Sequence, residues 1–225
     1  MAIQVLGISG SPVPESNTDR AVKKILELTG LETQFVKLSE MEVVPCRACL
    51  GCVKTNQCVV DDDGKRLAEL FHEAPAFVLG GYTPYSSLDA RTKAFMERMY
   101  CHRHRVGGNA GKAGLAVITT ACPPGAPGLP PAAQTAASQI ACWMMEEGMV
   151  NLGTLVIQGN VPCIRCGYGD DCSASGLKML FGPDASVASV GVHAFEEDSA
   201  LATAAEEMAA KLRRSVVGNS SSHET

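Results

Sequence analysis

Short apolar runs alternate along this chain with helix-like segments, and that alternation limits the fold more than any other feature. Runs at 3–9, 32–38, 75–84, 112–120 and 150–159 are brief, rich in Val, Ile and Leu, and bounded by Gly or Pro, as buried strands are. Between them, 18–30, 61–74, 88–100 and 132–148 carry helical spacing, and 199–215 adds a terminal helix. Gly30 is placed as the stop of the first helix, and Asp61 to Asp63 as a cap and dipole partner at the start of the second. Strands that alternate with helices predict a parallel sheet covered on both faces. The fold class expected is therefore α/β, a doubly wound five-stranded parallel sheet, in one domain over 1–215 with a disordered tail at 216–225.

Composition removes several function classes. A net charge of −5 argues against nucleic acid, which selects basic stripes. The N-terminal run lacks a basic flank and a cleavage site, and no apolar stretch approaches bilayer length, so no membrane association and a cytoplasmic location are expected. In a reducing compartment ten cysteines are not a disulfide framework. The isolated Cys101, Cys122 and Cys142 read as small buried hydrophobes.

Two clusters do not. Cys46, Cys49, Cys52 and Cys58 follow C-x2-C-x2-C-x5-C in a loop, where there is no core to fill. Short steps let successive sulfurs converge, and the longer spacer lets the chain close around one 4Fe–4S cluster. Structural zinc more often joins two separated C-x2-C pairs, so the spacing favours a cluster over zinc or a loop without metal. Cys163, Cys166 and Cys172 repeat the end of this pattern in a second cysteine-rich insertion at 160–182. They leave one position for Cys122, Cys142, Asp170 or Asp171, and a second cluster, zinc and an unmetallated loop all stay open.

The segment Ser9 to Thr18 leaves the first strand and enters the first helix with many small and hydroxyl side chains. A helix N-terminus so placed is an anion site. The pattern is neither G-x-G-x-x-G nor G-x-x-x-x-G-K-[ST], and "GGNAGKA" at 107–113 is one residue short and lacks the hydroxyl. "YCHRHR" at 100–105 reads as cations at a helix C-terminus, Trp143 to Met145 as core or interface, and Glu146–Glu147 as solvated.

"GISGSPVPESNT", the cysteine loop running into "DDDG", and "GGYTPYSSLDARTKAFMER" together resemble the iron–sulfur flavoprotein branch of the NADPH-dependent FMN reductase superfamily, over most of 3–120. The resemblance implies a flavodoxin-like fold with a cysteine-rich loop insertion, and FMN as cofactor. By position, Ser9, Gly10, Ser11, Pro12, Ser16, Asn17 and Thr18 would cradle its phosphate. Thr83, Pro84, Tyr85, Ser86 and Ser87 would border the isoalloxazine, and Thr119, Thr120 and Ala121 would meet its other side. The family often carries a basic residue after "GSP"; here Val13 stands there. The resemblance further implies an oxidoreductase that relays electrons from a ferredoxin-like carrier, with no catalytic acid or base, as a homodimer or homotetramer. A cluster-free NAD(P)H-dependent FMN or quinone reductase, and a thiol or metal redox sensor, are the alternatives.

Overall fold

Strands β1 (Val5–Ser9), β2 (Thr33–Lys37), β3 (Ala76–Tyr82), β4 (Ala113–Thr120) and β5 (Val150–Gln158) pair in the order β2-β1-β3-β4-β5, every pair parallel. This is a computed structural model, and it describes residues 3–125 and 128–220. The five strands form where short apolar runs stand in the sequence, and β1 is buried along its whole length, as parallel strands covered on both faces must be. The order is the flavodoxin-like one, with its topological switch between β1 and β3.

Helices α1 (Asn17–Thr29), α2 (Asp63–Glu73), α3 (Ala90–Arg98) and α4 (Ala132–Glu146) make the crossovers. Beyond β5 come the short α5 (Gly176–Phe181) and α6 (Val187–Val190), then α7 (Ser199–Ser220). One face of the sheet buries Val22, Ile25 and Leu26 of α1 with Ala205, Ala209 and Leu212 of α7. The other buries Leu67 and Phe71 of α2, Phe95 and Met96 of α3, and Ile140 and Met144 of α4. Phe71 is the hub of that second core, with ring centroids at 5.0 Å from Phe77, 5.5 Å from Phe95 and 5.9 Å from Trp143. The Phe71, Phe77 and Phe95 rings, all buried, each stabilise by about 1.5–3 kcal/mol relative to exposure.

Gly30 ends α1 as expected, in the left-handed region at φ 61° with its N–H bonded to Glu27. The expected tail does not begin at 216. Val216 is buried in the α1–α7 core one turn after Leu212, so the helix continues through Ser220; residues 221–225 lie outside the described residues. No described helix is long and apolar enough to cross a membrane.

Candidate functional site

All the loops that follow parallel strands leave from the carboxyl edge of the sheet, so those after β1, β2, β3 and β4 share one rim. The loop after β1 is held from within. Ser9 Oγ donates to Asp19 Oδ1 at 2.6 Å, and Asp19 Oδ2 accepts from the Ser16 backbone N–H at 3.2 Å. Ser16 Oγ in turn accepts from the Asp19 N–H, closing a capping box. Lys37, at the end of β2, pairs with Asp19 and donates to the Val13 carbonyl at 2.8 Å. A cation therefore stands beneath the loop, supplied by the next strand and not by position 13.

The capping box leaves two donors of the first turn open. The N–H groups of Asn17 and Thr18 meet no acceptor among the described residues. The side chains expected to cradle a phosphate are largely committed elsewhere. Thr18 Oγ1 donates to Thr119 Oγ1 at 2.8 Å. Asn17 Nδ2 donates to the His193 carbonyl at 2.9 Å, and its Oδ1 accepts from the Phe195 N–H at 3.1 Å. Asn17 thus clasps the segment that leads into α7. Gly10 does not have a positive φ; its missing Cβ makes room for α3. A methyl there would lie 2.0 Å from Thr92 Oγ1 and 2.7 Å from the Asp89 carboxylate, which caps α3.

The loop after β3 is laced to the loop after β4 by Thr83 Oγ1 donating to Thr120 Oγ1 at 2.9 Å. Tyr85 and Ser86 both adopt positive φ, 50° and 58°, and the Tyr85 ring is fully exposed. Gln139 of α4 steadies this loop, accepting from the Leu88 N–H at 3.0 Å and donating to Ser87 Oγ at 3.4 Å. Beside Ala121, whose carbonyl accepts from Gln158 at 2.9 Å, Thr120 Oγ1 also accepts from the Cys122 N–H at 3.2 Å. The expected flavin residues of the loops after β1, β3 and β4 therefore come together at one place on the rim.

The four-cysteine loop lies on the α2–α3 side. Cys46 and Cys49 are exposed, Cys52 and Cys58 half-buried. Among the described residues no three His, Cys, Asp or Glu side chains stand in metal-binding geometry. Arg98, at the end of α3, ties both ends of the loop. Its guanidinium donates to the Val44 carbonyl at 3.0 Å, to Cys58 Sγ at 3.2 Å, and to both oxygens of Asp62 at 2.6 and 2.7 Å. Asp62 sits at the N-cap position of α2 but makes no capping bond, because Arg98 has taken its carboxylate, while Asp63 stands in the first turn as the expected dipole partner. Burial pushes the Asp62 carboxyl up, and the bonds from Arg98 and the Val44 N–H outweigh it, leaving it below its ordinary value.

The turn at 99–105 is the platform for this loop, a role the sequence reading missed. Asn56 donates to the carbonyls of Cys101 at 3.1 Å and His104 at 2.6 Å, and Arg105 to that of Lys54 at 3.2 Å. Cys101 is buried beside Cys58 and Cys52, and burial pushes its thiol up to about 12. Burial likewise raises the Cys52 thiol. Cys142 corrects its reading as a buried hydrophobe: it is exposed on α4, lining a groove of about 940 Å³ together with Cys46, Met96, Tyr100, Gln139 and Trp143. Glu147 is not solvated, since it is buried and accepts from Asn109 at 2.9 Å. Lys112, in the discounted 107–113 stretch, is buried with its ammonium on the carbonyls of His72 and Ala74, both at 2.7 Å.

In the second cysteine segment Cys163 Sγ accepts from the Gly176 N–H at 3.2 Å and Cys166 Sγ from the Tyr168 N–H at 3.4 Å. Asp170, one candidate for a fourth ligand, accepts instead from the Val187 N–H at 2.6 Å.

The family model for NADPH-dependent FMN reductase matches residues 3–154. An iron–sulfur flavoprotein of Methanocaldococcus jannaschii is 33% identical over 115 residues, 47% of this chain and 60% of that protein. One from Methanosarcina thermophila is 28% identical over 154 residues, 67% of this chain and 78% of that protein. Among solved structures, a flavodoxin from the domain Archaea superposes with a TM-score of 0.53 at 13% identity, over 95% of this chain and 99% of that one. The match thus spans less than two thirds of the Methanocaldococcus relative's length. With its β2-β1-β3-β4-β5 sheet, the chain belongs to the NADPH-dependent FMN reductase family.

Proposed function

We infer that this chain is an FMN-dependent oxidoreductase that carries a 4Fe–4S cluster on Cys46, Cys49, Cys52 and Cys58. It relays electrons between a ferredoxin-like one-electron carrier and a two-electron acceptor. The observation that carries the flavin reading is the pair of open N–H groups on Asn17 and Thr18, at a helix N-terminus beside the switch point between β1 and β3. Open amides at the positive end of a helix suit a phosphate, and in this strand order that is where the ligand binds. The donors are thus backbone amides, with Ser9 and Ser16 acting behind them through Asp19. Lys37 offsets the Asp19 charge that would otherwise repel an anion. Tyr85 offers an exposed ring at the loop after β3, suited to an aromatic cofactor.

The cysteine loop supports the cluster reading through its donor set. Four thiols stand at short spacing in one loop, the last of them, Cys58, accepts from a buried guanidinium, and the Arg98 Nε–H is buried without an acceptor. Spare donors beside sulfur suit an anionic metal–thiolate group. When both groups are bound, the flavin handles electrons singly or in pairs and the cluster passes them one at a time. The protein's part is to hold the two, to seal the cysteine loop against α3, and to keep the rim loops laced by the Thr18–Thr119 and Thr83–Thr120 bonds. Cys163, Cys166 and Cys172 are the candidates for a second metal site, cluster or zinc, with an unmetallated loop as the alternative, and we expect a homodimer or homotetramer.

Anaerobic purification with iron, acid-labile sulfide, zinc and FMN quantified per chain tests this reading. About four irons with matching sulfide and one FMN support one cluster, and roughly twice the iron supports two. FMN without sulfide, together with hydride transfer from NADPH, turns the reading to a cluster-free reductase. Neither FMN nor sulfide turns it to a thiol sensor.

A further inference from the structure

We propose that Arg98 is the positioning residue of the four-cysteine site: it fixes Cys58 Sγ and the two ends of the loop, and keeps a hydrogen-bond donor on that sulfur as the site gains or loses an electron. The inference rests on the cluster reading above. Arg98 is the largest fully buried side chain in the described residues, with its side chain 1% exposed. A cation so placed is strongly disfavoured unless it is paired, and Asp62 pairs it through two oxygens.

The remaining donors decide what the residue is for. A guanidinium that served only the core would direct its spare N–H groups to backbone carbonyls. Here one group goes to the Val44 carbonyl, two residues before Cys46, and one goes to Cys58 Sγ. A third, Nε–H, is buried with no acceptor, on the same side chain. A neutral thiol is a weak acceptor, whereas a metal-bound thiolate is a good one. Arg98 therefore spans the four-cysteine run from before its first member to its last. Glu, Lys or Gln would not reproduce this, because the span needs a planar fork with several fixed donors.

Donors on a cluster sulfur favour the reduced, more negative state, because each bond strengthens as charge is added. Removing them shifts the one-electron balance toward the oxidised state. Lysine keeps the charge and loses the fork. The pair Arg98→Gln with Asp62→Asn keeps the volume, removes both charges, and leaves no carboxylate stranded. That double variant covers the case in which Arg98→Gln alone does not fold.

The test uses anaerobically prepared full-length protein, with iron and sulfide measured first and the cluster midpoint potential then taken by mediated titration followed by electron paramagnetic resonance. The expected order of potentials is wild type highest, Arg98→Lys lower, and Arg98→Gln/Asp62→Asn lowest. The last should lie at least about tenfold away in the reduced-to-oxidised ratio, ~59 mV for one electron. A folded double variant that loses iron supports the same role more strongly, since Cys58 is then no longer held. Fully loaded variants with the wild-type potential overturn the proposal and leave the cluster reading intact. Wild-type protein without iron and sulfide overturns the cluster reading itself, and this inference with it.

Discussion

The ammonium of Lys37 and the carboxylate of Asp19 meet beneath the loop that joins β1 to α1, both almost wholly out of water. Asp19 is the knot of that loop, since Ser9 and the Ser16 N–H bond the same carboxylate. Lys37→Met strands that charge and also removes the bond to the Val13 carbonyl. Stranding one member of a buried pair costs about 3–5 kcal/mol. The surviving bonds to Asp19 place this variant near the lower end. Adding Asp19→Asn removes the stranded charge, so the double variant should be more stable than Lys37→Met alone. Urea unfolding of the three proteins reads the order, and equal stability of the wild type and Lys37→Met would show that the pair contributes nothing.

Gly10 offers a second test, because α3 alone gives a reason for a glycine there. Asp89 bonds the Thr92 N–H at 2.9 Å and hydroxyl at 2.7 Å directly over the position a Gly10 side chain would fill. Gly10→Ala should therefore destabilise by about 2–3 kcal/mol through overpacking in the absence of any cofactor. Adding Thr92→Ala removes the atom at 2.0 Å, so the two changes together should cost less than their sum. Denaturant curves on cofactor-free protein measure both. A Gly10→Ala protein of unchanged stability would return the glycine to a ligand role.

The order of elements was legible because it follows from periodicity over ten or so residues, and Gly30 because a helix stop is a local event. What escaped the sequence are pairings between distant residues. Asp62 and Arg98 are 36 positions apart, so Asp62 read as a cap for α2 when its partner was on α3. Residues 100–105 read as cations at a helix end, and they are that, but their carbonyls also seat Asn56 of the cysteine loop. The hydroxyls after β1 read as ligands, since sequence shows which groups can bond and not which bonds the fold has already used. Ser9 and Thr18 spend theirs on Asp19 and Thr119. The repeated Cys pattern, by contrast, needed no tertiary information to be noticed.

Tyr85 separates binding from stability. Its ring is fully exposed and its backbone is left-handed, at φ 50°, a conformation that is uncommon without glycine. Tyr85→Ala removes no buried contact, so unfolding should move by no more than about 0.5 kcal/mol. If the ring packs on the flavin, FMN affinity should fall by about 0.5–1.5 kcal/mol, roughly two- to twelvefold. Quenching of FMN fluorescence on titration with cofactor-free protein gives the ratio directly. Unchanged affinity would remove Tyr85 from the flavin loop while leaving Asn17 and Thr18 in place.

Lys112 predicts an unusual alkaline behaviour. Burial lowers its ammonium from 10.5 to about 8, and its two bonds, to the His72 and Ala74 carbonyls, can both be made by a neutral amine. Between about pH 8 and 10.5 the unfolded chain holds a proton at this position that the folded chain has released. Unfolding then takes up a proton, and stability from this group rises with pH. The contribution is fully present above the unfolded value and is lost as pH falls through the folded one. Lys112→Met removes the titration and leaves two carbonyls unpaired, so it should destabilise at every pH. The gap between wild type and variant should widen from pH 8 to pH 10, by an amount on the order of 1–3 kcal/mol. Thermal unfolding of both proteins across that range measures it as a difference, in which titrations shared by the two cancel. A gap that stays constant or narrows over the window would place the ammonium in contact with water and return its pKa to that of an ordinary lysine.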